Sequence, residues 1–217
     1  MSGSIEQRYA EDFATMPIVA ILRGLQPREA VAIGSALVEG GIRILEVPLN
    51  SPEPFDSIGQ LARAFAGHAT VGAGTVLRPD DVDRVRDVGG QVVISPNMNP
   101  DVIRRTRAAG LVSLPGCLTP TEAFAALDAG AHAVKLFPGE LVTPSIARAM
   151  AAVLPRGTRL LVVGGVSAGN IADWRGSVVH GFGIGSSLFK PGIKADEVRD
   201  KARALVDAVR DWAAAAH

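Results

Sequence analysis

The sequence of 217 residues contains one cysteine, and aromatic side chains make up only 5% of it. A single cysteine cannot form an internal disulfide, so the fold must rely on its hydrophobic core, and a reducing compartment is expected. The chain also has no excess charge of either sign, because 22 Lys and Arg balance 22 Asp and Glu. Without a basic surface, neither nucleic acid nor an anionic membrane is expected as a partner.

The chain also lacks a long apolar run, since no run approaches the roughly 18 residues that suggest a membrane-spanning helix. The amino-terminal segment 1–16 has no basic start followed by an apolar stretch, and so it differs from a secretory signal. Instead, Ile5, Tyr9 and Phe13 recur at every fourth position and predict a short amphipathic helix. With the lone cysteine, these absences predict a cytoplasmic protein.

Short apolar runs alternate with longer amphipathic stretches along the whole chain. Their starts lie 18 to 28 residues apart, which is about the length of one strand, one helix and two short loops. Most runs are rich in Val, Ile and Leu, as expected for parallel strands buried on both faces. The eight runs are PIVAIL (17–22), IRILEVP (42–48), TVGAGT (70–75), QVVIS (91–95), GLVSLP (110–115), AHAVKLF (131–137), RLLVVGG (159–165) and SVVHGFGIG (177–185).

The stretches between the runs carry signals for the ends of helices. Thr119, followed by Pro120 and Glu122, predicts a capped helix start after the fifth run, and Ser167 is a candidate cap after the seventh. A last helix is predicted over residues 196–216. The connections between runs are therefore expected to be helical.

Eight strand–helix units in this order predict an α/β fold of the (β/α)8 or TIM-barrel type, which needs at least about 200 residues. No break in composition divides the chain, so we expect a single domain over residues 1–217, with the helix of 1–16 capping the barrel. The alternative is an open, doubly wound sheet. No G-x-G-x-x-G motif follows the first run, which argues against a dinucleotide-binding version of that sheet.

Two charged residues lie inside otherwise apolar runs, on the face that strand alternation directs into the barrel. Burial lowers the pKa of a lysine such as Lys135 and makes its neutral amine available as a nucleophile. Burial raises the pKa of a glutamate such as Glu46 toward neutrality, which suits a general acid/base. The alternative for each is structural: Lys135 paired across the barrel or reaching its rim, and Glu46 balancing the charge of Lys135 or Arg23.

Arg23 and Thr75 end the first and third runs, at the carboxyl-terminal side where barrel active sites lie. An arginine there could bind a carboxylate or phosphate in a bidentate manner, or form an ordinary ion pair at the rim. Thr75 could hold a small polar group of a ligand, although threonine is common in strands.

Glycine-rich loops close the seventh and eighth runs. Gly164 and Gly165 follow Val163, while Gly185 ends the eighth run and Ser186 follows it. Phosphate frequently binds at these two loops of a barrel, because glycine lets backbone N–H groups approach an anion closely. The helix expected after each loop would add its positive end. The alternative is that the glycines only form tight turns.

Residue patterns for other chemistries are absent. No H-x-H or H-E-x-x-H spacing places two histidines as metal ligands, and no motif pairs Cys117 with a base, so we expect it to be a packed small residue. The residues predict a barrel without metal or cofactor, which binds a phosphorylated substrate between an amine nucleophile and a carboxylate.

Eight motifs then follow in a specific order: ILRG, EVPLNSP, GAGTVL, SPN, PGC-x-TPTE, KLFP, VGGV and GIGS. From about residue 16 to the end, the sequence resembles the 2-keto-3-deoxy-6-phosphogluconate and 2-keto-3-deoxy-6-phosphogalactonate aldolases. The resemblance implies a metal-independent class I aldolase on a barrel that forms a homotrimer. Its substrates would be a phosphorylated keto-deoxy sugar acid and, in reverse, pyruvate.

The resemblance also implies roles for single residues. Lys135 would form the Schiff base, and Glu46 would be the general acid/base. Arg23 and Thr75 would contact substrate. The phosphate-binding residues would be Gly164, Gly165, Gly185 and Ser186.

Two positions bear on the substrate's configuration at C4. Gluconate-type members read E-V-T-L-R-T and T-G-G, whereas this sequence reads EVPLNS and VGG, so that Asn50 replaces an arginine and Val163 a threonine. A methyl in place of a hydroxyl near C4 changes which hydroxyl is tolerated, because an unpaired polar group costs binding. This favours the galactonate substrate, with the gluconate epimer or dual specificity as the alternative. Outside this class, the rivals are a phosphosugar isomerase or synthase barrel and a non-catalytic barrel that binds a phosphorylated ligand.

Overall fold

The computed structural model describes residues 4–215. Helix α1 (Ile5–Thr15) begins after Ser4, whose hydroxyl accepts a hydrogen bond from the N–H of Gln7. Helix α8 (Ala195–Ala214) ends the described chain. Both terminal helices are therefore present, while the outermost residues of the expected ranges 1–16 and 196–216 lie outside the described residues.

Nine parallel strands form one sheet within the described residues. Their order is β5-β4-β3-β2-β1-β9-β8-β7-β6, and the two outer strands of this order are neighbours in the chain. The sheet therefore curls into a nearly closed α/β barrel of the TIM type. The strands are β1 (Ile18–Ile21), β2 (Ile44–Pro48), β3 (Thr70–Gly74), β4 (Val92–Ile94), β5 (Val112–Leu114), β6 (Gly116–Cys117), β7 (Val134–Leu136), β8 (Leu160–Val163) and β9 (Gly181–Ile184).

Each of the eight predicted runs contains a strand, and a ninth strand that was not predicted, β6, directly follows the fifth run. Pro115 separates β5 from β6, because proline has no backbone N–H to continue a ladder. β5 pairs with β4 and β6 pairs with β7, while the carbonyl of Pro115 accepts the N–H of Lys135 at 2.9 Å. The eighth run is also shorter than predicted, since its strand begins only at Gly181.

Proline marks the start of most helices. Six of the eight α-helices have proline at the first position, where the missing N–H costs nothing and the fixed φ favours the helix. Thr119 caps α6 as predicted, and it forms a capping box with Glu122. These six helices are α2 (Pro27–Glu39), α3 (Pro54–Ala64), α4 (Pro79–Asp87), α5 (Pro100–Ala108), α6 (Pro120–Asp128) and α7 (Pro144–Ala151).

The helices expected directly after the two glycine loops are not formed, and that prediction was wrong. After β8 only a short 3-10 helix (Ile171–Trp174) follows, and after β9 the next α-helix is α8. Ser167 does not cap a helix. Its N–H donates to the side chain of Asn170, which also donates to the carbonyl of Gly165 and so closes the loop on itself.

Side chains of the strands alternate between two apolar layers. Val134 and Leu136 pack between the sheet and the helices, whereas Ala133 belongs to a separate cluster inside the barrel. The interior cluster is Tyr9, Phe13, Val19, Ile44, Val92, Ile94, Val112, Leu114, Ala133 and Leu161. No helix among residues 4–215 has both the length and the apolar character needed to cross a membrane.

Helix α1 contributes two aromatic side chains, Tyr9 and Phe13, to this interior cluster. Its buried Asp12 accepts a hydrogen bond of 2.7 Å from the hydroxyl of Thr70, at the first residue of β3. The helix therefore lies against the amino-terminal ends of the strands, opposite the end where barrel active sites form.

Candidate active site

Lys135 lies in the middle of β7, with its side chain directed into the barrel and only 7% exposed. Burial lowers the pKa of its amine, Glu46 raises it and Arg23 lowers it further. The amine nitrogen lies 4.6 Å from the centre of the Phe137 ring. A lysine whose charged form is disfavoured has more of the neutral amine that can attack a carbonyl.

Glu46 lies in the middle of β2 and is 2% exposed. Burial raises the pKa of its carboxyl to about 7, against the opposing charges of Lys135 and Arg23. Its Oε2 is buried and has no hydrogen-bond partner among the described residues. A carboxyl that titrates near neutrality can both accept and donate a proton at physiological pH.

Both side chains line one open cavity of about 410 Å³. Arg23 and Thr75 line the same cavity, so four strands, β1, β2, β3 and β7, each bring one predicted residue to it or to its edge. This convergence follows from the parallel sheet, because the carboxyl-terminal ends of all strands meet at one end of the barrel.

Thr75 follows β3 with a φ of +56°, a left-handed conformation that residues other than glycine rarely adopt. Such strain is typical of functional sites. Thr75 is half-buried at this position and faces the cavity.

Arg23 and Asn50 are brought together by neighbouring strands. The Arg23 guanidinium donates a hydrogen bond of 2.9 Å to the Oδ1 of Asn50. Arg23 lines the cavity, whereas Asn50 does not belong to its lining. The structure therefore links Asn50 to the cavity through its hydrogen bond to Arg23.

The two glycine loops form one wall of the cavity. Gly164 and Gly165 have φ values of +113° and +69°, and they line the wall with Val163, Gly185 and Ser186. The wall presents backbone groups of two neighbouring strands to the cavity. Because no α-helix begins directly after either loop, the positive end of a long helix does not contribute there.

Several lining residues were missed by the sequence reasoning. Lys190 lies five residues after Gly185, and its charge so close to the second glycine loop is a signal that could have found it. Glu140 lies in the 3-10 turn after β7, and its carboxylate approaches Gly164. No sequence signal marks it, because its place depends on that turn. The other missed lining residues are Ile21, Pro96, Phe137, Val166, Ser167, Gly183, Ser187, Phe189 and Pro191.

Cys117 is buried at 2% exposure in β6, and burial raises the pKa of its thiol to about 12. The thiol is therefore protonated at neutral pH and is a poor nucleophile. This agrees with the prediction of a packed small residue.

The site and the barrel now have a direct counterpart among known families. The family described as "Aldolase: KDPG and KHG aldolase" matches residues 10–204, which is most of the chain. The chain belongs to the KDPG and KHG aldolase family. KDPG denotes 2-keto-3-deoxy-6-phosphogluconate, so this is the family that the motifs resemble, and the chain is an aldehyde-lyase of this type.

Named relatives within this aldolase family are similar over nearly the whole chain. A protein of Rhizobium meliloti (strain 1021), named "Probable 2-dehydro-3-deoxy-6-phosphogalactonate aldolase", is 47% identical over 88% of this chain and 91% of its own. The 2-dehydro-3-deoxy-6-phosphogalactonate aldolase of Escherichia coli (strain K12) is 41% identical over 90% of this chain and 96% of its own. A solved structure described as "Native KDPGal structure" has a TM-score of 0.90 at 41% identity, over 92% of this chain and 97% of its own.

Proposed function

We propose that this aldolase cleaves 2-keto-3-deoxy-6-phosphogalactonate to pyruvate and D-glyceraldehyde 3-phosphate by a class I mechanism. The single observation that carries the mechanism is the pair Lys135 and Glu46, both buried and both lining one cavity beside two glycine loops. The substrate is supported by relatives at 41% and 47% identity. Their names contain 2-dehydro-3-deoxy-6-phosphogalactonate, which is another name for the same compound.

In this mechanism the neutral amine of Lys135 attacks the C2 ketone, and loss of water forms an imine. Glu46, acting through a water, moves protons during that step. It then accepts the proton of the C4 hydroxyl as the C3–C4 bond breaks and C4 becomes the aldehyde carbon. The electron pair of the broken bond passes to the iminium as an enamine. Protonation of the enamine at C3 and hydrolysis of the imine release pyruvate and restore the amine.

Binding would be divided between the two ends of the substrate. Arg23 and Thr75 would orient the keto acid, because both face the cavity beside Lys135 and Glu46. Gly164, Gly165, Gly185 and Ser186 would bind the phosphate through backbone N–H groups and the serine hydroxyl. Lys190 on the same wall would supply the positive charge that a helix end does not. Holding both ends fixes the reacting carbons over the amine.

Val163 supports the galactonate substrate over its C4 epimer. It lines the cavity and is 6% exposed, so its methyl groups offer no hydrogen bond where gluconate-type members have a threonine hydroxyl. A substrate hydroxyl directed at these methyl groups would lose its partner, which disfavours one epimer.

Borohydride reduction in the presence of pyruvate tests the mechanism. The wild type should gain the mass of a reduced pyruvate adduct, Lys135→Ala should not, and Lys194→Ala, outside the cavity lining, should behave as the wild type. An isomerase, a synthase or a silent binding barrel needs no imine, so a wild type without an adduct would contradict the proposal. EDTA should leave cleavage unchanged, whereas loss with rescue by a divalent ion would indicate a metal-dependent aldolase.

We also propose that residues 1–217 form one domain, with α1 capping the amino-terminal end of the barrel. The interior position of Tyr9 and Phe13 and the bond between Asp12 and Thr70 support the cap. A homotrimer, supported by the family resemblance, and a cytoplasmic location, supported by the lone cysteine, complete the proposal. Sedimentation equilibrium tests the oligomer, and fractionation of the native host tests the location.

A further inference from the structure

Gly74, the last residue of β3, lies directly against the carboxyl group of Glu46. A Cβ atom added at Gly74 would lie 1.3 Å from Oε2 and 2.2 Å from Cδ of Glu46, far inside any permitted contact. Every side chain other than that of glycine would therefore occupy the space that the carboxylate now fills. Glu46 also lines the open cavity beside Lys135, which offers space into which a displaced carboxylate could move.

The sheet register accounts for this contact. Strands β2 and β3 pair in parallel with Glu46 opposite Gly72 and Pro48 opposite Gly74. Alternation directs all four positions to the same face of the sheet, and the Glu46 side chain leans along its strand toward the diagonal neighbour. Gly72 differs from Gly74, because its added Cβ would meet the carbonyl oxygen of Val92 at 1.9 Å and not Glu46.

We propose that Gly74 is a positioning residue, which holds the Glu46 carboxylate against the strand backbone and at a fixed distance from Lys135. The proposal rests on the proposed function in one respect, namely that Glu46 is the general acid/base. Glycine is required here for the close approach of another side chain, and its own φ is not in the left-handed region.

The contact also accounts for the chemistry of the carboxyl group. Pressed against the backbone, Oε2 is buried and has no hydrogen-bond donor among the described residues. Burial is the largest cause of the raised pKa of Glu46, while Lys135 and Arg23 act against it. A methyl at position 74 would push the carboxylate into the cavity, toward those two cations and toward water. Its pKa should then fall, and its distance to the substrate's C4 hydroxyl should change.

Gly74→Ala is the first test. We expect kcat to fall about 100-fold, the scale of general acid/base catalysis, with a smaller change in KM. The acidic limb of the kcat–pH profile should move to lower pH by about one unit. Borohydride trapping of pyruvate should persist, because Lys135 remains in place. A role in folding alone would lower the active fraction without moving the limb.

Glu46→Asp supplies the matched second variant, since the shorter side chain keeps the carboxylate and leaves room for a methyl. In this background Gly74→Ala should cost less than about threefold in kcat, so the two substitutions are strongly coupled. Should Gly74→Ala fail to fold, the double variant should recover the native circular dichroism spectrum. The proposal would be overturned if the double variant remains unfolded. It would also be overturned if the loss of kcat in the double variant equals the product of the losses in the two single variants.

Gly72→Ala is the control for a clash in the same strand without contact to Glu46. It should lower thermal stability but leave the acidic limb in place. A Gly74→Ala enzyme with the kcat and pH profile of the wild type would also overturn the proposal. Failure of the underlying function is distinguishable, because the wild type itself would then neither cleave substrate nor form the adduct.

Discussion

The guanidinium of Arg23 donates a hydrogen bond of 2.9 Å to the side-chain oxygen of Asn50, across the loops that follow β1 and β2. Both residues are exposed, and of the two only Arg23 lines the cavity. From this position, we expect Asn50, which stands where gluconate-type relatives have arginine, to influence a ligand through Arg23. The bond limits the directions in which the guanidinium can meet a carboxylate.

Asn50→Ala should raise the KM for the phosphorylated substrate by about two- to tenfold, the value of one exposed hydrogen bond of 0.5–1.5 kcal/mol. The value of kcat should change less, because Asn50 does not line the cavity that Lys135 and Glu46 share. Steady-state kinetics checks this. An unchanged KM would show that the orientation of Arg23 does not depend on Asn50.

The rate of cleavage should depend on the ionisation of Glu46. Its carboxyl has a pKa of about 7, and only the ionised form can accept the proton of the C4 hydroxyl. As the pH falls below about 7, kcat should therefore decrease, approaching tenfold per pH unit. The measurement is kcat between about pH 5 and 9, with Glu46→Gln as the variant that lacks this limb. A flat wild-type profile across this range contradicts the assignment.

The same raised pKa links Glu46 to stability. Between its ordinary value of 4.5 and the folded-state value of about 7, the folded state holds a proton that the unfolded state has released. That stabilisation is complete below about pH 4.5 and is lost as the pH rises through about 7. Glu46→Gln cannot ionise, so between about pH 5 and 8 it should gain on the order of 1–3 kcal/mol relative to the wild type. Urea unfolding of the wild type and of Glu46→Gln at both pH values measures their free energies of unfolding. A difference between the two proteins that is the same at both pH values would contradict the prediction.

Val163→Thr should shift the preference between the two C4 epimers toward the gluconate substrate. The introduced hydroxyl offers a hydrogen bond to a C4 hydroxyl that the valine methyl groups cannot make, worth about 1 kcal/mol and hence several-fold in the ratio of kcat/KM. Both epimers should be assayed side by side. A wild type that prefers gluconate, or a ratio that the substitution leaves unchanged, would count against the role of Val163.

Lys190→Gln should weaken binding of the phosphorylated substrate, raising KM by about tenfold, because a charged hydrogen bond is lost. Turnover of the analogue without the phosphate should stay the same. Lys194→Gln is the matched control, since that lysine precedes α8 and does not belong to the cavity lining. Equal losses for both substrates would mean that Lys190 does not act on the phosphate.

Lys135, Glu46, Arg23 and Thr75 could be located from the sequence because strand alternation is a local property, set every second residue. The same local rules place the capping box at Thr119. The helices expected directly after the two glycine loops did not form. After β8, the Asn170 side chain instead closes a loop with Gly165 and Ser167, and a short 3-10 helix follows.

Contacts between separate strands were also beyond the sequence. The packing of Glu46 on Gly74 depends on the register of β2 against β3, and the link between Arg23 and Asn50 depends on two loops that meet only in the barrel. Glycine at position 74 has no local signature that distinguishes a close approach from a turn.

The sequence by itself determined the eight apolar runs that hold strands, the apolar faces and the residue types at the strand ends, because each of these is encoded within a few neighbouring positions. Only the tertiary structure decided that Pro115 separates β5 from β6 and that Lys190 and Glu140 line the cavity. It also decided how completely the Glu46 carboxyl is buried away from hydrogen-bond donors. These depend on atoms far apart in the chain, and burial, which sets the pKa of Glu46, exists only after the barrel has closed.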